Sequence, residues 1–206
     1  MDGGGESAVS LNAIARTMRT SPAALYRYFD NRDDLVAELV VDAYLDLAAH
    51  LEAAGSGVGA EQVRAVARAF RAWALASPNT YRLVFESVSG SGLALAAGRI
   101  RPAAQRSMDV FLRALVGIGL EGDGEVGDEL SAQLVAWGER AEHPDLPPAV
   151  LHRGVVAWTR LHGLVSLEIG HHLAATGVDP ALLFEAELTD LLRVVSGPGV
   201  SGGTHG

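Results

Sequence analysis

Apolar residues recur along nearly the whole chain at spacings of three and four, and no segment alternates long enough to make a strand. That 3.6-residue rhythm predicts an all-α protein. Residues 11–18 put Leu11, Ile14, Ala15 and Met18 on one face, with Ser10 placed as the cap. Ser21 followed by Pro22 starts a second short helix over 22–29, because a missing N–H costs nothing at the first helical position. Asp30 and Asn31 interrupt it. A long helix over 32–53 follows, striped with Leu35, Leu39, Ala43, Leu47 and Leu51. After a Gly/Ser-rich linker at 55–59, residues 60–76 align Val63, Val66, Ala67, Phe70 and Trp73. Ser77-Pro78 restarts a shorter helix ending near Glu86, and the Ser/Gly-rich 87–98 reads as irregular. Further helices are predicted over 101–117, over 128–142 with Leu130, Leu134 and Trp137 inward, over 148–175 and over 180–195.

Composition narrows the function. The chain has 206 residues, 49% hydrophobic and only 20% charged, enough to bury a real core. It has no cysteine, which removes disulfide scaffolds, zinc–cysteine sites and thiol chemistry together. No apolar run approaches the ~20 residues of a membrane span, and the polar, acidic first residues do not read as a signal peptide. The expected location is the cytoplasm, with no membrane partner. The net charge of −9 would speak against nucleic acid if it were evenly spread, and it is not. Residues 10–32 hold Arg16, Arg19, Arg27 and Arg32 against the single acid Asp30. A short positive segment in an acidic chain is the footprint of a phosphate-binding element.

Two short helices joined by a tight turn, with arginines around the second, suit a helix-turn-helix. Pro22, Ala23 and Ala24 keep the start of the second helix small, so that its backbone can approach base edges. Tyr26, Arg27 and Tyr28 supply donors for phosphates, and Arg32 adds a contact at the start of the next helix. The run from Ser10 to Leu39 resembles the DNA-binding segment of the TetR family of bacterial regulators. Ser21, Pro22, Leu25, Tyr26, Tyr28, Phe29, Arg32 and Leu35 fall on the family pattern Ser-Pro-x-x-Leu-Tyr-x-(His/Tyr)-Phe with its basic residue and leucine beyond. Downstream, Ala74 to Pro78 with Tyr81-Arg82-Leu83, and Trp158 with residues 161–168, resemble the family's regulatory domain named for a Trp-His-Gly signature. The family's usual first helix, which packs across the helix-turn-helix, has no counterpart in Met1 to Val9. Either the true start lies upstream or the DNA-binding unit is truncated.

The resemblance implies a ligand-responsive DNA-binding regulator, a repressor as is usual in the family, acting on double-stranded DNA at a palindromic operator. The expected DNA-binding set is Arg19, Thr20, Ser21, Pro22, Ala23, Ala24, Tyr26, Arg27, Tyr28 and Arg32. The domains expected are residues 1–50, a helix-turn-helix segment lacking the first helix; 51–197, a helical regulatory and dimerisation domain; and 198–206, a disordered tail. The alternative is a helical homodimeric ligand- or protein-binding module that binds DNA poorly or not at all. An unknown small apolar effector is expected among Trp73, Tyr81, Phe85, Trp137 and Trp158, with His162 as a polar handle. No enzyme activity, cofactor or metal is read. No Ser/His/Asp arrangement sits on a recognisable elbow, and Glu168 with His172, at i and i+4, lacks a second cluster to complete a ligand set.

Self-association is read from spacing. Over 148–175, Trp158, Leu161, Val165, Ile169 and Leu173 form a large apolar stripe, and Gly163, Ser166, Gly170 and Ala174 form a small one. A helix with two such sides is buried on both. The last helix offers Leu188, Leu191, Leu192 and Val195 as further candidates to be covered. A twofold pairing of these two helices predicts a homodimer through a four-helix interface.

Overall fold

The computed structural model describes residues 29, 32–86, 97–118 and 126–195. Among the described residues there are seven α-helices and no strand: α1 (Arg32–Ala54), α2 (Gly59–Ala76), α3 (Pro78–Phe85), α4 (Ala97–Val116), α5 (Asp128–Arg140), α6 (Pro148–Ile169) and α7 (Pro180–Val195), with a 3-10 turn at Ala174–Thr176. The two short helices expected over 11–18 and 22–29, and the tail at 198–206, lie outside the described residues.

The helices enclose one main apolar core. From α2 come Val63, Val66, Ala67, Phe70, Trp73 and Ala74, the face that the sequence marks. They meet Leu47 and Leu51 of α1, Phe111 and Leu115 of α4, Leu161 and Val165 of α6, and Phe184 and Leu188 of α7. A satellite cluster of Leu112, Leu134 and Leu151 joins α4, α5 and α6. Ion pairs stitch the outside. Arg106 of α4 makes a two-pronged pair with Glu52 of α1, 2.7 Å on each prong, and Arg68 of α2 does the same with Glu185 of α7 at 2.8 Å.

Several expectations are corrected. Leu39 is 42% exposed, although Leu35, Ala43, Leu47 and Leu51 of the same stripe are buried. Val40, fully buried, takes the inward place. Leu130 is likewise turned outward, so α5 faces inward through Leu134 alone among its leucines. The helix expected at 101 begins a turn earlier, at Ala97, and Pro102 lies inside it. Its missing N–H spares only the bond to the carbonyl of exposed Gly98, a small loss there.

Both α5 and α6 stop short of the expected 142 and 175, for the same reason. After Arg140 the chain closes with Glu142 N–H to Glu139 O and His143 N–H to Gly138 O. After Ile169 it closes with His171 N–H to Glu168 O and His172 N–H to Leu167 O. This paired 6→1 and 5→2 pattern ends a helix through a left-handed residue, usually glycine. Here the left-handed positions are Glu142 (φ 60°) and His171 (φ 57°). Leu173 and Ala174 therefore lie beyond the end of α6.

Candidate effector core and DNA-binding segment

The centre of the core is aromatic and carries a polar triad. On α6, Trp158, His162 and Ser166 stand one turn apart; on α3, Tyr81 and Phe85 do the same. Phe70 reaches them from α2. Ring centroids lie 5.3 Å apart for Trp158–His162, 4.7 Å for Phe85–His162 and 5.0 Å for Tyr81–Phe85. Tyr81 is fully buried. Its hydroxyl sits 2.6 Å from Ser166 Oγ and 3.1 Å from His162 Nδ1. Tyr81 has one proton for two neighbours, so one of them must donate to it. Burial pushes its phenol up to about 12, against the smaller opposing pull of the Ser166 hydrogen bond. Burial also holds the His162 imidazole below its ordinary 6.5. The site is an apolar cage around neutral polar groups.

Neighbouring contacts fix this cage. Arg82 Nη2 donates to the Ile169 carbonyl at 3.0 Å, tying α3 to the end of α6. Half-buried Arg71 of α2 pairs with Glu168 of α6 through two hydrogen bonds, at 2.8 and 2.5 Å. Glu168 is therefore engaged, and His172 lies past the helix end, so the two do not share a helix face. Tyr44 of α1 meets Phe85 edge-on at 5.8 Å, and Trp73 Nε1 donates to Asp46 Oδ2 of α1 at 2.7 Å. At the start of the same helix, Arg99 of α4 grips Asp34 and Glu38 at 2.5 Å each. The helix that leaves the expected DNA-binding segment is thus held at both ends by the helical domain.

The six residues expected around an effector do not converge. Tyr81, Phe85, Trp158 and His162 come together. Trp73 is buried against α1, and Trp137 belongs to the satellite cluster. Three clefts stand out among the described residues. One of about 90 Å³ opens between Val63, Phe111, Ala157 and Leu188. One of about 270 Å³ lies between α4 and α5 and includes Trp137. A shallow groove of about 340 Å³ runs over Thr159, Arg160, Gly163, Leu164, Leu167 and Glu187. The four converging residues line none of these three; they pack on one another.

The expected dimer residues divide as well. A Cβ on Gly163 would meet open space, and Leu191 is only partly buried. Ser166 instead turns inward to Tyr81, Gly170 caps α6, and Ala174 lies in the 3-10 turn. Leu188 is fully buried and Leu192 is 6% exposed, both in the subunit's own core, so neither is free for a partner. The side chain of Val195 lies outside the described residues. Leu167, one turn from Gly163, is 41% exposed and was not among the expected residues.

Of the DNA-binding set, Arg19, Thr20, Ser21, Pro22, Ala23, Ala24, Tyr26, Arg27 and Tyr28 lie outside the described residues. Arg32 opens α1, and its side chain lies outside them too. No helix among the described residues is long and apolar enough to cross a membrane.

Comparison with known proteins covers both parts. The family profile described as bacterial regulatory proteins, tetR family, matches residues 3–39, and the tetracyclin repressor-like C-terminal domain matches residues 63–191. The HTH-type transcriptional regulators Mb1846 of Mycobacterium bovis and Rv1816 of Mycobacterium tuberculosis are each 30% identical over 201 residues, covering 93% of this chain and 86% of theirs. The crystal structure of SCO4313, a protein assigned a regulatory role, is 41% identical, covers 93% of this chain and 88% of that one, and superposes with a TM-score of 0.71. A Rhodococcus protein of unknown function, 24% identical with a TM-score of 0.66 over 91% of this chain and 84% of its own, shares the fold.

Proposed function

We propose, from the premise that this chain belongs to the TetR family of transcriptional regulators, that it is a ligand-responsive repressor binding a palindromic operator as a homodimer in the cytoplasm. The observation that carries the ligand response is one shared helix. Residues 32–39 belong both to the stretch matching the family's DNA-binding part and to α1. The rest of α1 is bound to the aromatic core through Tyr44–Phe85 and Asp46–Trp73. An apolar effector entering among Phe85, Trp158, Tyr81 and His162 has to move those rings, because they pack on one another. Moving Phe85 displaces its contact with α1, and α1 carries the change to the DNA-binding segment. The mechanism is a population shift toward a dimer whose two heads no longer fit successive major grooves about 34 Å apart.

In this reading Tyr26, Arg27, Tyr28 and Arg32 bind phosphates, while Ala23 and Ala24 approach base edges. Arg19, Thr20 and Ser21 shape the turn between the helices, and Pro22 opens the second helix and keeps its start small. The two heads are brought side by side by the outer face of α6 and α7, around Gly163, Leu167 and Leu191. No catalytic step is assigned to the chain, and its mycobacterial relatives carry regulator names. Selection from a pool of random DNA duplexes tests the reading. The sequences recovered should be inverted repeats with half-sites about one helical turn apart. Recovery of unrelated or non-repeated sequences would contradict it.

A further inference from the structure

We propose that the cleft between α4 and α5 binds a small carboxylate with an apolar body, at a site separate from the aromatic core. Arg101, Gln105, Met108 and Leu112 stand on one face of α4, at i, i+4, i+7 and i+11, and Trp137 and Arg140 face them from α5. Leu112 is buried, and Met108 and Trp137 pack beside it, giving an apolar floor. The space is about 270 Å³. A cavity of about 150 Å³ already admits a benzene ring, so a ring with a carboxylate arm fits.

Arg68, Arg71, Arg99, Arg106 and Arg160 each hold a carboxylate on another helix. Arg101 and Arg140 are exposed, and among the described residues neither has a carboxylate partner. Both line the same cleft. A planar guanidinium pairs best with a carboxylate, through two parallel hydrogen bonds. The one acid in the lining, Asp109, accepts a 2.7 Å hydrogen bond from His143 Nε2 and is thereby engaged. The walls are already positioned: Gln105 donates its side-chain amide to the Ala141 carbonyl, fastening the end of α5 to α4. These two guanidinium groups over a Trp/Met/Leu floor select one charged end and one apolar body. The site also lies half a turn beyond Arg99, which grips Asp34 and Glu38 of α1.

Calorimetric titration of the full chain with 2-naphthoate and with octanoate tests the proposal directly, without reference to DNA. A failed DNA response would therefore leave it standing, and its own failure would leave the regulator reading standing. At least one acid should bind below about 1 mM, and the matching neutral amide should bind at least about tenfold more weakly. Arg101→Gln and Arg140→Gln should each weaken the acid about fivefold or more, while Arg113→Gln, on α4 but outside the cleft, should leave it unchanged. Saturation should perturb Trp137 fluorescence, a signal that Trp137→Phe removes. Acid and amide binding alike, an Arg101→Gln/Arg140→Gln double variant with unaltered affinity, or no binding of either acid at 1 mM would each overturn it.

Discussion

At the scale of single residues, the centre of the molecule is a hydrogen-bonded triad in an apolar cage. Replacing Tyr81 by Phe removes the hydroxyl that lies between Ser166 Oγ and His162 Nδ1, and leaves two polar groups without their partner. The cost should be about 1–3 kcal/mol in denaturant unfolding. An unchanged midpoint would show that the triad contributes nothing to stability. In alkaline titration followed by tyrosine absorbance, the Tyr81 phenol should ionise late, near 12, and that step should vanish in the variant, while that of half-buried Tyr44, also raised, remains. The acid side has the opposite sign. His162 has a lower proton affinity folded than unfolded, since burial opposes its charge. The unfolded chain therefore takes up the proton first, and stability is full above the ordinary value of 6.5 and falls as pH drops below it. The loss of stability between about pH 7 and 5 should be shallower in His162→Gln. An identical slope in the variant would place the acid sensitivity elsewhere.

At the scale of elements, periodicity located the described helices and Ser77-Pro78 located the start of α3, because apolar faces and a proline at the first helical position are local signals. The ends of α5 and α6 were not legible. A left-handed closing residue is normally announced by glycine, and here Glu142 and His171 fill those positions. The strain is testable. His171→Gly should stabilise the fold by about 0.5–1 kcal/mol, since glycine adopts a positive φ without penalty. A destabilised variant would mean that the His171 side chain makes a contact worth more than its strain. The same early ending makes Gly170 a poor place to test the dimer. A Cβ there would meet the His172 ring at 2.6 Å, in the chain's own turn. Gly163 is the better probe, because nothing lies within 4 Å of its Cβ position. Gly163→Arg should leave the subunit's own stability intact or raised by about 0.5–1 kcal/mol, through helix propensity alone. It should also shift sedimentation toward monomer. A variant still dimeric would move the interface off this face. The candidate site was legible only in part. Tyr81, Phe85, Trp158 and His162 could be named from the sequence, but the division of Trp73, Trp137, Leu188 and Leu192 among other surfaces depends on which helices face each other. Periodicity along one helix does not carry that information.

At the scale of the whole molecule, an acidic helical domain carries a short arginine-bearing segment, and α1 belongs to both. The segment's role was legible because it combines a local charge excess with the Leu-Tyr-x-Tyr-Phe block, and its match to the tetR family's DNA-binding part spans residues 3–39. In the function proposed, this segment binds DNA through phosphate contacts despite a net charge of −9. Fluorescence anisotropy with a labelled duplex across a salt series measures it most directly, comparing the full chain with Arg32→Ala. Affinity should fall steeply with salt, and the variant should bind all sequences more weakly and uniformly, with a log–log slope shallower by about one unit. Affinity that does not respond to salt, or a slope and affinity untouched by Arg32→Ala, would contradict it.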